Sequence, residues 1–272
     1  MLTEQRLLRC APTGSPRSTF ETAKLANVTA PAIPDYTDDF AEAIRQFWSV
    51  KQAQQTASDA AGRMVGGTSG AVRAGKHMAP FEQLLRKVVL DTGITPDPSP
   101  SDTVYLPGFY RESKSWDVVL QYKGHALAIV EAKSQGSSLA NNFNNRVEEA
   151  IGQAADVWKS HERGLLISGI RPWIGYLMIV EETPRTIEPK NLMGGKTVPA
   201  GMQIDPTFDG MSYAERYAMA FKRLDQERML DATCVAITSG PDAYAYPNDW
   251  LSFNSFAAQL WGRCQQVLAV LG

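Results

Sequence analysis

The 272-residue sequence predicts an α/β domain with a mixed central β-sheet flanked by helices. Two observations carry that expectation. Apolar runs of strand character (WDVVLQY, ALAIV, PWIGYLMIVEE, TCVAITS) interleave with longer segments whose apolar residues recur at helical spacing. The first two runs flank a Lys-Gly-His turn and read as a β-hairpin. No internal repeat is present.

The elements follow in chain order. Residues 1–37, with Pro12, Pro16, Pro31 and Pro34 and no clear period, read as an N-terminal extension, leaving a single domain over 38–272. From Asp38 to Asp59, Phe40, Ile44, Phe47 and Trp48 mark an amphipathic helix. The region 60–79 is rich in glycine and basic residues and reads as a loop. PFEQLLRKVVLDTG then opens with Pro80 and closes with Gly93, as helices do, and a proline-rich connector, TPDPSPSD, follows. Beyond the hairpin, NNFNNRVEEAIGQAADVWKS forms a helix with Phe143, Val147, Ala150, Ile151, Ala154 and Trp158 on its apolar face. Asn145, Glu149, Gly152 and Asp156 fall opposite. SYAERYAMAFKRLDQERM and WLSFNSFAAQLWGRCQQVLAV supply the remaining helices.

Composition narrows the function classes. No run approaches the roughly 18 apolar residues of a membrane span, and MLTEQRLLRC is too short and polar for a secretory signal. Cys10, Cys234 and Cys264 lack metal-ligand spacing and read as free thiols of a reducing, cytoplasmic compartment. His77, His125 and His161 form no zinc motif. The net charge of −2 argues against a generally sticky nucleic-acid binder. Between Ala60 and Leu90, however, Arg63, Arg73, Lys76, Arg86 and Lys87 oppose only Glu82.

The hairpin carries the chemistry. Glu131 and Lys133 point to one strand face and Ala132 to the other. With a tight turn at Lys123-Gly124, Asp117 on the partner strand comes close to facing Glu131. Two carboxylates brought together repel unless a proton or a cation lies between them. Magnesium takes oxygen ligands and keeps several waters, so Asp117, Glu131 and the backbone carbonyl of Ala132 suit it. Lys133 beside such an ion can stabilise a hydroxide or the charge that builds on a phosphate, the D…E-x-K arrangement of metal-dependent nucleases. The bare triplet is common, and Glu188-Pro189-Lys190 repeats it in a loop where it means nothing.

The run LPGFYRESKSWDVVLQYKGHALAIVEAKSQGSSLANNFNNRVEEAIGQAADVW resembles the core of the XhoI-type restriction endonucleases, most specifically in NNFNNR followed by paired glutamates and Ala-Ile-Gly. Similarity extends from the Gly-rich loop and GKHM through PWIGYLMIVEE to SYAERY. The resemblance implies a restriction-endonuclease-like PD-(D/E)XK core that cuts palindromic duplex DNA with Mg2+, for which Mn2+ can substitute. Asp117 and Glu131 would bind the metal and Lys133 would be the catalytic lysine. It further implies 5′-phosphate and 3′-hydroxyl ends, a two-fold homodimer matching the palindrome, a separate cognate DNA methyltransferase, and a prokaryotic host. CTCGAG is the site that the family suggests. The chain departs from the family pattern at Trp116, in place of the motif's proline, at Ala140, before NNFNNR, and at Ala79, a poor N-cap for a helix starting at Pro80. These departures spare the metal centre and bear on sequence specificity.

Other residues keep two readings. Asn141, Asn142, Asn144, Asn145 and Arg146 suit DNA phosphates or adenine edges, although a single Asn there is simply a helix cap. Arg73 and Lys76 sit among glycines that allow close approach to DNA, or belong to a solvated loop. Glu82 either reaches the metal as an accessory carboxylate or pairs with Arg86. Glu149 either orients water or Lys133, or is solvated. GTSGA lacks the second glycine of a serine-hydrolase elbow, since Ala71 stands there. Two rivals share the fold: a repair or recombination nuclease that cuts by structure, and a DNA-binding protein without catalysis. The second is disfavoured because all three charged positions are present.

Overall fold

The computed structural model describes residues 32–60, 75–99, 104–136, 139–166, 169–192 and 197–272. Arg73, the GTSGA run, Cys10 and nearly all of the expected extension lie outside the described residues.

Helix α1 spans Thr37–Ala60, opening with Asp38 and Asp39 where the helix dipole favours acids. Asp35 accepts the Thr37 N–H at 2.9 Å. Tyr36, Phe40, Ile44 and Phe47 are fully buried. A 3-10 turn, Gly75–Met78, leads into α2, Ala79–Asp91. Ala79 is therefore the first helical residue rather than the cap. Met78 holds the cap position without a side-chain hydrogen bond, and Pro80 lies in the first turn, where a missing N–H costs little.

A two-stranded ribbon, β1 (Val104–Pro107) and β2 (Ser113–Trp116), stands apart from the main sheet. Trp116 thus ends β2 instead of opening the expected hairpin. That hairpin is β3 (Val118–Tyr122) and β4 (His125–Gln135). Lys123 and Gly124, at φ 50 and 77, adopt the paired left-handed conformation that matches strand twist in a two-residue turn. Asp97, from the proline-rich connector, secures the turn by accepting both N–H groups at 3.0 and 2.7 Å.

Helix α3 (Leu139–Glu162), β5 (Ile174–Glu181), α4 (Tyr213–Gln226), β6 (Ala232–Gly240), β7 (Ala243–Ala245) and α5 (Phe253–Leu271) complete the domain. The sheet order is β3-β4-β5-β6-β7, antiparallel at both outer pairs and parallel within. Helices cover both faces, as a sheet with a buried parallel centre requires. Residues of α1, α2 and α5 pack with Val118, Ala128, Val130 and Ala132. Those of α3, α4 and the ribbon pack with Ile129, Tyr176, Met178 and Val180. The expected interleaved α/β class is the one observed. Among the described residues, no helix is long and apolar enough to cross a membrane.

Helix α3 corrects the expected faces in two places. Ile151, assigned to the apolar stripe, is exposed, while Asp156, assigned to the polar face, is buried. The cause is the ribbon, whose tip lies over that side. Asp156 accepts the N–H groups of Phe109 and Tyr110 at 2.7 and 2.9 Å and pairs with Arg111 at 2.6 Å. Cys234 and Cys264 are buried free thiols.

Candidate active site

β4 outruns its hairpin partner. Pairing with β3 ends at Val118↔Val130, whereas pairing with β5 continues to Gln135↔Val180. From Glu131 onward the β3-side edge of β4 therefore lacks a strand to pair with in the main sheet, and unmet backbone groups need other partners. Asp117, in the break between β2 and β3, fills the gap by accepting the Ala132 N–H at 2.8 Å. The N–H and C=O of one strand residue point to the same edge, so the Ala132 carbonyl faces this opening too.

On the face toward α3, Glu131 is almost completely buried, and a carboxylate there requires several donors. Lys133 ion-pairs with its Oε1 and Gln153 of α3 donates to the same oxygen at 3.2 Å. Lys114 of β2 pairs with Oε2 at 2.6 Å, and its ammonium lies 4.1 Å from the centre of the Trp116 ring. Lys133 also approaches Asp117 Oδ2 at 3.3 Å, bridging the two acids. Asp117, Glu131 and Lys133 are thus brought together, and Lys114 and Gln153 join them.

The titration directions follow from this crowding. Burial and then the charge of Glu131 push the Asp117 carboxyl above its usual range, against Lys133 and the Ala132 N–H. Burial alone would lower the Lys133 ammonium, but Glu131 and Asp117 outweigh it and the net shift is upward. Lys114 is shifted down, chiefly by lost hydration, despite its contact with Glu131. Glu82, partly buried on α2, is raised by burial and then by Asp117, with Arg86 opposing. Asp117 and Arg86 thus both act on the Glu82 carboxyl, in opposite directions.

The donor types fit a hard divalent cation, since two carboxylates and one backbone carbonyl all offer oxygen. Among the described residues no group of three or more His, Cys, Asp or Glu could hold a metal, so the carbonyl and water would have to complete the shell.

The other expected residues divide. Glu149 meets Arg146 at 2.5 Å rather than Lys133, and Gln153, one turn further along α3, is the residue that reaches the site. Because α3 begins at Leu139, Asn141, Asn142, Asn144 and Asn145 lie inside its first turns and not at the cap. Asn144 and Asn145 are exposed and Asn142 is partly buried; the side chains of Asn141 and Lys76 lie outside the described residues. Glu188 and Lys190 pair with each other at 3.4 Å. Sequence reasoning missed Lys114 because its strand neighbours in β1 carry no recognisable signal. Gln153 was legible only as a polar residue one turn after Glu149.

A mixed α/β sheet with a carboxylate pair and a lysine where one strand outruns its neighbour defines the restriction-endonuclease-like class. Residues 54–245 match the family described as Restriction endonuclease XhoI. The chain is 33% identical over 179 residues to the type II restriction enzyme BstVI of Geobacillus stearothermophilus, covering 63% of this chain and 78% of that one. It is 32% identical over 186 residues to the type II restriction enzyme XhoI of Xanthomonas vasicola, covering 66% and 72%. With the type II restriction enzyme AbrI of Azospirillum brasilense it shares 30% over 188 residues, covering 66% and 82%. No solved structure matches significantly. The chain belongs to the XhoI restriction endonuclease family, and the matched span includes every residue of the acid–lysine cluster.

Proposed function

We propose that this protein is a type II restriction endonuclease making magnesium-dependent double-strand cuts at a short palindrome, CTCGAG or a related site. The observation that carries the reading is Lys133 bridging Asp117 and Glu131 beside the open edge at Ala132. Asp117, Glu131 and the Ala132 carbonyl would hold the ion, Mg2+ or Mn2+, which when bound polarises a phosphoryl oxygen and makes water more acidic.

The chain's own residues supply the rest. Lys133, held by both acids, keeps its proton at neutral pH and presents positive charge where charge builds on the attacked phosphate. Glu131 is oriented toward the reacting centre by Gln153 and Lys133, which share one of its oxygens. Water attacks phosphorus in line, the bond to the 3′ oxygen breaks, and that oxygen takes a proton, leaving 5′-phosphate and 3′-hydroxyl ends. DNA would run over the start of α3, where Asn142, Asn144, Asn145 and Arg146 stand with Asn141, and Arg73 and Lys76 are kept as further DNA contacts from the sequence alone. Glu82 is the accessory carboxylate, whereas Glu149 serves to orient Arg146. Two copies related by a two-fold axis would cut the two strands, with a separate methyltransferase guarding the host's own sites.

Digestion of plasmid DNA tests the reading. Discrete bands with magnesium, none with a chelator, and one sequence at every cut end are expected. Smears, or cutting only at flaps and branches, would point to a nuclease that recognises structure.

A further inference from the structure

We propose that Lys114 is the resident counter-cation of the acid pair and occupies the Glu131 oxygen that a divalent ion must claim. The proposal rests on the reading of Asp117 and Glu131 as metal ligands. Glu131 is almost fully buried and its two oxygens are divided: among the described residues, Lys133 and Gln153 take Oε1 and Lys114 alone takes Oε2. Among the side chains in direct contact, Asp117 and Glu131 are matched one for one by Lys114 and Lys133, with the Glu82 carboxyl acting only at longer range. A divalent cation added to that set brings a large positive excess into a space where only 13% of the Lys114 side chain and 4% of the Glu131 side chain meet solvent. One ammonium must yield.

The geometry selects which. Lys133 bridges both acids, so its departure would undo two ion pairs, whereas Lys114 pairs with one acid only. Lys114 also has alternative partners at hand. It donates to the Ser115 carbonyl at 2.9 Å and rests over the Trp116 ring, partners that do not depend on the Glu131 charge. It stands on the four-residue strand β2, in a ribbon outside the main sheet, whereas Lys133 belongs to the buried strand β4. Lys114 therefore opposes metal loading of the free protein. An arriving phosphodiester supplies the anion that draws the displaced ammonium outward, which links loading to the presence of DNA.

Mn2+ binding to the full chain without DNA, read as loss of the free-ion electron paramagnetic resonance signal, tests this directly. Lys114→Met should bind Mn2+ about tenfold more tightly than the unaltered protein, a typical coupling between neighbouring sites. Lys114→Arg, which keeps the charge, should not. Should Lys114→Met fail to fold, as judged by circular dichroism, Lys114→Gln removes the charge while retaining a donor and should show the same gain. Unchanged or weaker binding in the neutral variants, or an equal gain in Lys114→Arg, overturns the proposal. Glu131→Gln separates the two readings. If it binds Mn2+ as well as the unaltered protein, the metal assignment itself fails; if binding is lost while the Lys114 variants do not move, only the counter-cation role fails.

Discussion

Asp117 and Glu131 each lie one residue beyond the last β3–β4 pair, Val118↔Val130, and the register leads to that juxtaposition only because the ladder slips by one residue between Leu120 and Gln121. Counting back from Tyr122↔His125 without the slip would place Asp117 opposite Val130, on the other face of the sheet. The bulge thus aims the first acid at the second, a common use of an extra residue beside an active site.

Removing either end of the bridge should stop cleavage. Asp117→Ala and Lys133→Ala are expected to lower the single-turnover rate by at least about a hundredfold, the first by removing a ligand of the proposed ion and the second by removing positive charge aimed at the phosphate as its charge develops. Duplex binding, measured by gel shift without metal, should persist.

Gln153 is a positioning residue that acts through Glu131. Gln153→Leu should lower activity by about 10–100-fold, the usual cost of removing a partner that orients a metal ligand. Its metal requirement should shift to higher concentration. Glu149→Gln, which breaks only the contact with Arg146, should change the magnesium titration little, and an equal shift there would contradict the assignment.

The Asp117 carboxyl costs stability at neutral pH. Folding raises its pKa above 3.8, so the folded protein holds that proton more tightly than the unfolded chain does. Its contribution is full below 3.8 and is lost as pH rises through the raised folded value. Asp117→Asn should therefore raise Tm at about pH 7 in chelator, with an advantage that shrinks on acidification toward the unfolded pKa. A difference that grew on acidification would reverse the sign.

Asp156 has the opposite sign. Although burial opposes it, the N–H groups of Phe109 and Tyr110 together with Arg111 hold its carboxyl below 3.8. Its stabilisation is present above that value and is lost as pH falls through the depressed one. Asp156→Ala removes the shared acceptor of three part-buried donors and should cost about 1 kcal/mol or more in denaturant unfolding. Amide exchange at Phe109 and Tyr110 should accelerate most.

Packing behind the site leaves little room. A Cβ on Gly175 of β5 would come within 2.6 Å of the Phe256 ring and 2.8 Å of Trp173. Gly175→Ala should cost about 1–3 kcal/mol of stability, measured by urea unfolding, as overpacking generally does.

The legible parts of the molecule were those governed by local periodicity. Apolar spacing marked α1, α3, α4, α5 and the central strands, and the E-x-K triplet with an upstream acid marked Asp117, Glu131 and Lys133. What escaped depends on contacts distant in sequence. β1 and β2 are four residues each, too short for a period, so the ribbon and its Lys114 gave no signal. Asp156 looked solvated because nothing in helical spacing announces that a ribbon tip will cover it. The slip at Leu120/Gln121 changes facing by one residue while leaving composition untouched.

The most direct measurement of the central claim is anomalous diffraction from crystals of the protein bound to duplex DNA in manganese. A peak within ligand distance of the Asp117 and Glu131 carboxylates and the Ala132 carbonyl, with the scissile phosphate adjoining, is the predicted result. Clear density for the DNA with no manganese between those groups would contradict it.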